Sequence, residues 1–433
     1  MSTDAKVDVA AEAALELATA TAATRDEALA AIAAAIEDAS AEILAANAVD
    51  VERAEEQLAA GAYTQALVDR LRLTESKLAS ITEMVRSVAA QPDPIGETVS
   101  ARELAPGLEL FEVRVPLGVV AAVFESRPDA LVQIAALGAK SGNAVILKGG
   151  SEAAESNRTL HAVIEEATPM LPSGWSALIE AREDVETVLA RDDAVDLVMP
   201  RGSGAFVAHV ESSTRIPVLG HTEGVCHVFI DADADAEMAA AIAMDAKTQY
   251  PAVCNAMETL LVHEAVAADM LPPLVEQLQQ AGVTMRGDAQ TRQVVELDPV
   301  TPDDWRTEYG DLELSIGTVG SLDAAVEHIN TNGSKHTEAI VTEDAARARR
   351  FMEAVDAASV FHNASTRFAD GYRFGLGAEV GIATGKTHAR GPVGVEGLTT
   401  TKYYLEGEGH RVAEFSGADA TAFTHRTTPD AAW

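Results

Sequence analysis

Apolar positions recur at helical spacing through the first ninety residues, as in Leu29, Ile32 and Ile36 and again in Leu67, Leu71, Leu78 and Ile81. That period, in an Ala- and Glu-rich background, predicts several packed helices over 5–90. Gln91-Pro92-Asp93-Pro94 ends them, and the alternation in LELFEVRV (108–115) predicts a half-exposed strand. From Gly118 the texture changes to short apolar runs separated by amphipathic stretches. VVAAVFE (119–125), NAVILKG (143–149), VDLVMP (195–200) and IPVLG (216–220) are expected strands. PDALVQIAALGAKSG, SEAAESNRTLHAVIEEA and GSGAFVAHVESST are expected helices between them. Such alternation implies an α/β fold with a parallel, doubly wound sheet, which binds ligands at the carboxyl ends of its strands.

A second strand and helix series starts near Val228 and runs past Cys254 to about Thr384. It includes the run TLLVH (259–263), a helix around 265–281 and another over 322–330. Two α/β lobes in succession suggest an active cleft between them.

Composition narrows the class. The 433 residues hold 68 acidic against 32 basic side chains, a net charge of −36, with only eight lysines. A nucleic-acid partner is not expected, because a phosphate backbone needs a basic face. The acids are spread along the whole chain, which points to a high-salt cytoplasm whose counterions screen self-repulsion. No apolar run is long enough for a membrane span and the amino-terminal stretch lacks a signal core, so a cytoplasmic location is expected. Two cysteines cannot build a zinc framework, the histidines look scattered, and no metal site is expected.

Cys254 stands out. It lies in Gln249-Tyr250-Pro251-Ala252-Val253-Cys254-Asn255, just before an apolar run, and Pro251 disfavours helix at Tyr250. A tight connection with an accessible thiol follows. At an ordinary pKa near ~8.5 a cysteine is only about 3% thiolate at neutral pH, so a nucleophilic one needs help. A helical turn after Cys254 would supply it and an oxyanion hole together. Cys226, inside Val225-Cys226-His227-Val228-Phe229-Ile230, reads as a packing residue. Lys148 with Gly149-Gly150-Ser151, and Arg201-Gly202-Ser203-Gly204 opening a helix, place glycines and a cation at successive strand ends, a pattern that favours a nucleotide phosphate.

Eight segments then fall in order: FESRPDA (124–130), SGNAVILKGGSEA (141–153), VMPRGSG (198–204), PAVCNAMETLLVH (251–263), VEHINTNGSKHTEAI (326–340), NASTRFADG (363–371), GLGAEVGI (375–382) and HARGPVGVEGLTT (388–400). Together they resemble the γ-glutamyl phosphate reductases of the aldehyde dehydrogenase superfamily over nearly the whole chain. The resemblance implies an aldehyde-dehydrogenase-like fold of two doubly wound α/β lobes with a small β oligomerisation flap. In that scheme 1–100 and 117–227 form the NADP-binding lobe, 228–385 the catalytic lobe, and 101–116 and 386–433 the flap and tail, with LELFEVRV and TTKYYLEG as flap strands.

The implied reaction is NADPH-dependent reduction of L-glutamyl 5-phosphate to glutamate 5-semialdehyde, the second step of proline synthesis, by a homo-oligomer whose acyl phosphate a glutamate 5-kinase partner could hand over. Cys254 would be the nucleophile and carry a thioester. The superfamily's asparagine oxyanion donor falls here at Glu125 or Ser126, leaving the second donor open. Lys148 and Ser151 would hold an adenosine ribose phosphate, Arg201, Gly202 and Ser203 the phosphates, and Glu308 the nicotinamide ribose. Ser126, Arg127, His336, Asn363 and Arg367 are candidates for the substrate, with Glu338 or Glu379 for its ammonium group. Two other readings remain at this stage. An acid-forming aldehyde dehydrogenase would use Glu223 of Gly220-His221-Thr222-Glu223-Gly224 to activate water. A non-catalytic binding protein that merely keeps the fold is the other.

Overall fold

The computed structural model describes residues 1–429 and 431–433. Five helices occupy the first ninety residues: Thr3–Leu17, Ala22–Asp38, Ser40–Ala59, Gln65–Leu71 and Glu75–Ala89. Four start on a hydroxyl cap, with Ser2, Thr21, Thr64 and Thr74 each accepting a first-turn backbone N–H. The apolar stripe read from the sequence (Leu29, Ile32, Ile36, Leu78, Ile81) is buried in one core with the helix Pro128–Ser141. The buried guanidinium of Arg25 fastens this layer to the loop at Asp93.

The first sheet is parallel and four-stranded, in the order Ser176–Ile179, Ala144–Lys148, Val119–Phe124, Leu197–Arg201. Val119–Phe124 is buried at every position, as a strand covered on both faces must be. Val123 pairs with Lys148 and Phe124 with Arg201, so the carboxyl ends of three strands finish level.

The second sheet is also parallel, in the order Asp298–Pro299, Thr284–Gly287, Glu313–Val319, Met257–His263, Cys226–Ile230, Thr337–Val341, Ser359–His362. A third, antiparallel sheet orders Thr399–Glu406, Leu108–Pro116, Thr98–Ala105 and Arg426–Thr427. No helix among the described residues is long and apolar enough to cross a membrane.

Several expected boundaries move. IPVLG forms no strand and contributes a single bridge, Val218 with Val198, because Pro217 has no N–H to extend the ladder. The antiparallel sheet begins at Thr98, before the expected 101. The strand Cys226–Ile230 lies wholly in the second sheet, so a lobe boundary at 227/228 would cut it. The end of the expected catalytic lobe and the start of the expected flap cross back: Ala378, Val380 and Ala383 of the one, and Val393, Val395 and Leu398 of the other, are buried in the core of the first lobe. That return matters below, since it brings Ile382 and Glu379 to the cleft. With a net charge of −36 on one chain, melting temperature should rise as KCl goes from millimolar to molar, where the screening length shrinks to about 3 Å. Thermal denaturation followed by circular dichroism checks this.

Candidate active site

The nucleophile loop is defined by its two ends. The helix Ala236–Thr248 stops one turn before Pro251, and the strand Met257–His263 starts shortly after Cys254. Lys247, in the last helical turn, and Glu258, second in the strand, meet at 2.6 Å with both side chains fully buried. Burial pushes the Glu258 carboxyl up to about 7 and pulls Lys247 down, and their mutual attraction opposes both shifts. The pair clamps the loop at its base.

No helical turn follows Cys254. Ala256 N–H donates to Val253 O (2.9 Å), which makes a simple reverse turn with Cys254 near its apex. Three side chains hold the turn. Asn255 Nδ2 donates to Ala369 O (2.8 Å), Gln249 Oε1 accepts from Arg367 Nε (3.0 Å), and the Cys226 thiol donates to Cys254 O (3.2 Å). Burial pushes the Cys226 thiol well up, which keeps it a neutral donor. Gly224 presses on the turn so closely that a Cβ there would stand 2.0 Å from Cys254 O. Glu308 holds Gly224 by accepting its N–H (2.8 Å), and Glu258 accepts the Gly310 N–H (3.3 Å). Glu308 therefore works here through the loop it grips.

Cys254, Gly224 and His336 all precede the strands they lead into. The site joins the amino edge of the second sheet to the carboxyl edge of the first. His221 and His336, which look scattered in the sequence, converge on the thiol. One ring nitrogen of each and Cys254 Sγ all lie within 4.8 Å of one another. Nothing in the spacing of 221, 254 and 336 reveals this.

Two arginines also meet here. Arg201 Nη1 donates to Gln133 Oε1 (3.0 Å) and Arg367 Nε to Gln249 Oε1, so half-buried Arg201 and buried Arg367 are each held by a neutral amide. Burial lowers the proton affinity of both, and the Cys254 sulfur is among the groups that favour their charge. Glu379 stands near Arg201, but burial raises its carboxyl and its Oε2 accepts the Gly371 N–H (2.9 Å). Arg127 lines a cavity of about 660 Å³ with Arg70, Lys77, Asp129, Tyr250 and Ala252, two residues from the thiol turn.

Other candidates serve the scaffold. Glu338 is buried in mid-sheet and accepts both the N–H (2.7 Å) and Nδ1 (2.9 Å) of His227, so it cannot greet a substrate ammonium. Asn363 spends its amide on Thr342, accepting the N–H and donating to the carbonyl, both at 3.0 Å. Ser126, at a left-handed φ of 48°, gives its N–H (2.6 Å) and hydroxyl (2.8 Å) to Glu152, so it offers no second oxyanion donor in this arrangement. Glu125 accepts the Ser203 N–H (3.2 Å). Glu223 is exposed, and its stem lies near Gly204.

The other strand ends fit a dinucleotide. Ser203 caps the helix Gly204–Ser213, whose first-turn N–H groups face outward as in any helix start. The Ser203 N–H already receives an anion, the mobile carboxylate of exposed Glu125. Lys148 ends its strand half-buried beside Gly149, where a Cβ would strike Asn157 at 2.0 Å. The next helix, Ala154–Ala167, is closed to phosphate, because Asp50 already accepts the N–H groups of Glu155 (3.2 Å) and Ser156 (2.8 Å).

Two parallel α/β lobes, one carrying the Cys254 turn and the other a phosphate-type helix start, define a nicotinamide-linked oxidoreductase of aldehyde dehydrogenase type. Residues 1–301 match the aldehyde dehydrogenase family. The chain is 64% identical to a gamma-glutamyl phosphate reductase of Natronomonas pharaonis over 98% of its length and 97% of the relative's. It is 63% identical to one of Haloquadratum walsbyi, over 97% and 94%. A crystal structure of gamma-glutamyl phosphate reductase from Thermotoga maritima superposes with a TM-score of 0.91 at 40% identity, covering 94% of this chain and 99% of that one. The chain belongs to the gamma-glutamyl phosphate reductases of the aldehyde dehydrogenase family.

Replacing Lys247 by Met should destabilise the fold by about 3–5 kcal/mol, because Glu258 is left buried without its partner. Adding Glu258→Leu should recover much of that loss. Urea denaturation of the two variants measures both.

Proposed function

We propose that this protein reduces L-glutamyl 5-phosphate to L-glutamate 5-semialdehyde and phosphate with NADPH, the second step of L-proline synthesis. The observation that carries this reading is the pair of guanidiniums, half-buried Arg201 and buried Arg367, held by neutral glutamines near Cys254. Buried cations without carboxylate partners favour an anionic ligand, and an acyl phosphate brings its anion to the carbon the thiol attacks.

Cys254 Sγ attacks the acyl carbon, the carbon–oxygen bond to phosphate breaks, and phosphate leaves with that electron pair. The nicotinamide cofactor, when bound, supplies hydride to the acyl carbon. Thiohemiacetal collapse then breaks the carbon–sulfur bond and returns the thiolate. The Cys254 N–H, on the turn apex, is positioned on the same residue to receive the oxyanion. The head group has an ammonium and a carboxylate, and the cavity beside Ala252 offers both signs: Arg70, Lys77 and Arg127 against Asp69 and Asp129.

NADPH over NADH is supported by what stands beside Lys148. Ser151 is neutral and exposed, and the neighbouring acid, Glu152, is turned onto Ser126 instead of toward an approaching ribose phosphate. Homo-oligomerisation is supported by the edge strand Thr399–Glu406, which exposes Tyr403 (64%) and Leu405 (57%). Both cysteines are free thiols, in keeping with a reducing cytoplasm. The substrate's mixed anhydride must come from a phosphoryl transfer to glutamate, which makes a glutamate kinase the supplying partner. Acid formation is the reading that phosphate-independent turnover would favour, with exposed Glu223 as its base.

Oxidation of glutamate semialdehyde by NADP should be strictly phosphate-dependent. Equal rates without phosphate would sink the reading. Arg367→Gln should raise the KM for phosphate in that direction roughly ten- to a hundredfold, the loss of one charge-assisted contact, and leave the Km for NADP unchanged.

A further inference from the structure

We propose that His221 is the proton acceptor for Cys254, with His336 as the group that fixes its ring. The inference rests on Cys254 being the nucleophile and adds how that thiol is activated.

His221 Nδ1 lies 2.7 Å from Ile382 O. A carbonyl oxygen can only accept, so Nδ1 carries the hydrogen and Nε2 keeps its lone pair. One ring edge is thus committed to the backbone, Nε2 is left as the basic nitrogen, and a nitrogen of this ring lies within 4.8 Å of Cys254 Sγ. Ile382 belongs to the segment that crosses back into the first lobe, so the tautomer is set by an element 161 residues away. His336 meets the His221 ring edge-on, centroids 4.9 Å apart and planes at 77°. It is fully buried, its Nδ1 is 2.9 Å from Thr337 Oγ1, and its Nε2 has no partner among the described residues. Full burial denies His336 a route for shedding a proton. Half-buried His221 has one through its exposed part.

The step balances. The Cys254 S–H bond breaks and an N–H bond forms at His221 Nε2, giving thiolate and imidazolium. As the thiolate attacks, the carbon–oxygen bond breaks and the imidazolium passes its proton to the departing phosphate. Neither an oxidant nor a further reactant is needed. Gly224 then has a second use, since any side chain there would displace Cys254 from His221.

The test reads the thiol itself, without cofactor or substrate. The full-length protein is alkylated with iodoacetamide at neutral pH and the labelled cysteine is identified by peptide mass. In His221→Ala the rate at Cys254 should fall about tenfold or more, and free imidazole should restore it. His221→Asn keeps a donor for Ile382 O but has no base, so it should stay slow. An unchanged rate in His221→Ala, or a rate like wild type in His221→Asn, overturns the proposal and leaves the ring a packing group. Should His221→Ala fail to fold, the His221→Asn and His336→Gln proteins decide: loss in the first with a smaller loss in the second supports the assignment, and the reverse order overturns it. Cys254→Ala, assayed for turnover, tests the nucleophile separately. If it retains turnover, the underlying reading fails whatever the alkylation rates show.

Discussion

The geometry of the cleft depends on the buried ion pair between Lys247 and Glu258. It joins the last turn of one helix to the start of the adjacent strand, so the intervening segment with Cys254 becomes a short closed loop. Two charges taken from water repay their desolvation only with good geometry, and this pair is supplemented by the Gly310 N–H on the second Glu258 oxygen. From there a chain of contacts runs outward. Gly310 is two residues from Glu308, Glu308 holds Gly224, and Gly224 rests on Cys254. Buried ionic groups are an uncertain source of stability, but here they set where a reactive atom stands.

Around that loop, the chain assembles a site from sheet edges of opposite sense. The first lobe offers strand carboxyl ends and a helix start, features that attract phosphate. The second offers strand amino ends, where the thiol and two imidazoles gather. Segment 378–398 ties the halves together, since its apolar residues are packed in the first lobe while its Ile382 carbonyl orients a ring beside the thiol.

Much of the scaffold was legible in the sequence, and the reason is periodicity. Helical and strand spacing is local, so the amino-terminal helices and the fully buried strands could be read within windows of a dozen residues. Cys254 was legible because a proline and an apolar run bracket it. IPVLG misled because its apolar character hid a missing donor at Pro217. Glu338 and Asn363 misled for a different reason: both occupy ordered motifs, yet their partners are His227 and Thr342, whose proximity only the sheet decides. His221 lay inside the very loop considered for Glu223. That its ring comes beside the thiol depends on the contact with Ile382, which no local pattern encodes.

The neutral glutamines that hold Arg201 and Arg367 have a thermodynamic consequence. Each guanidinium is taken partly out of water with an amide, not a carboxylate, as its hydrogen-bond partner, so the folded chain carries a desolvation cost that an arriving anion relieves. By linkage, whatever relieves that cost also favours the folded state. If these arginines hold phosphate as proposed, phosphate is as much a folding ligand as a leaving group, and resistance to unfolding is coupled to how fully the active site is engaged.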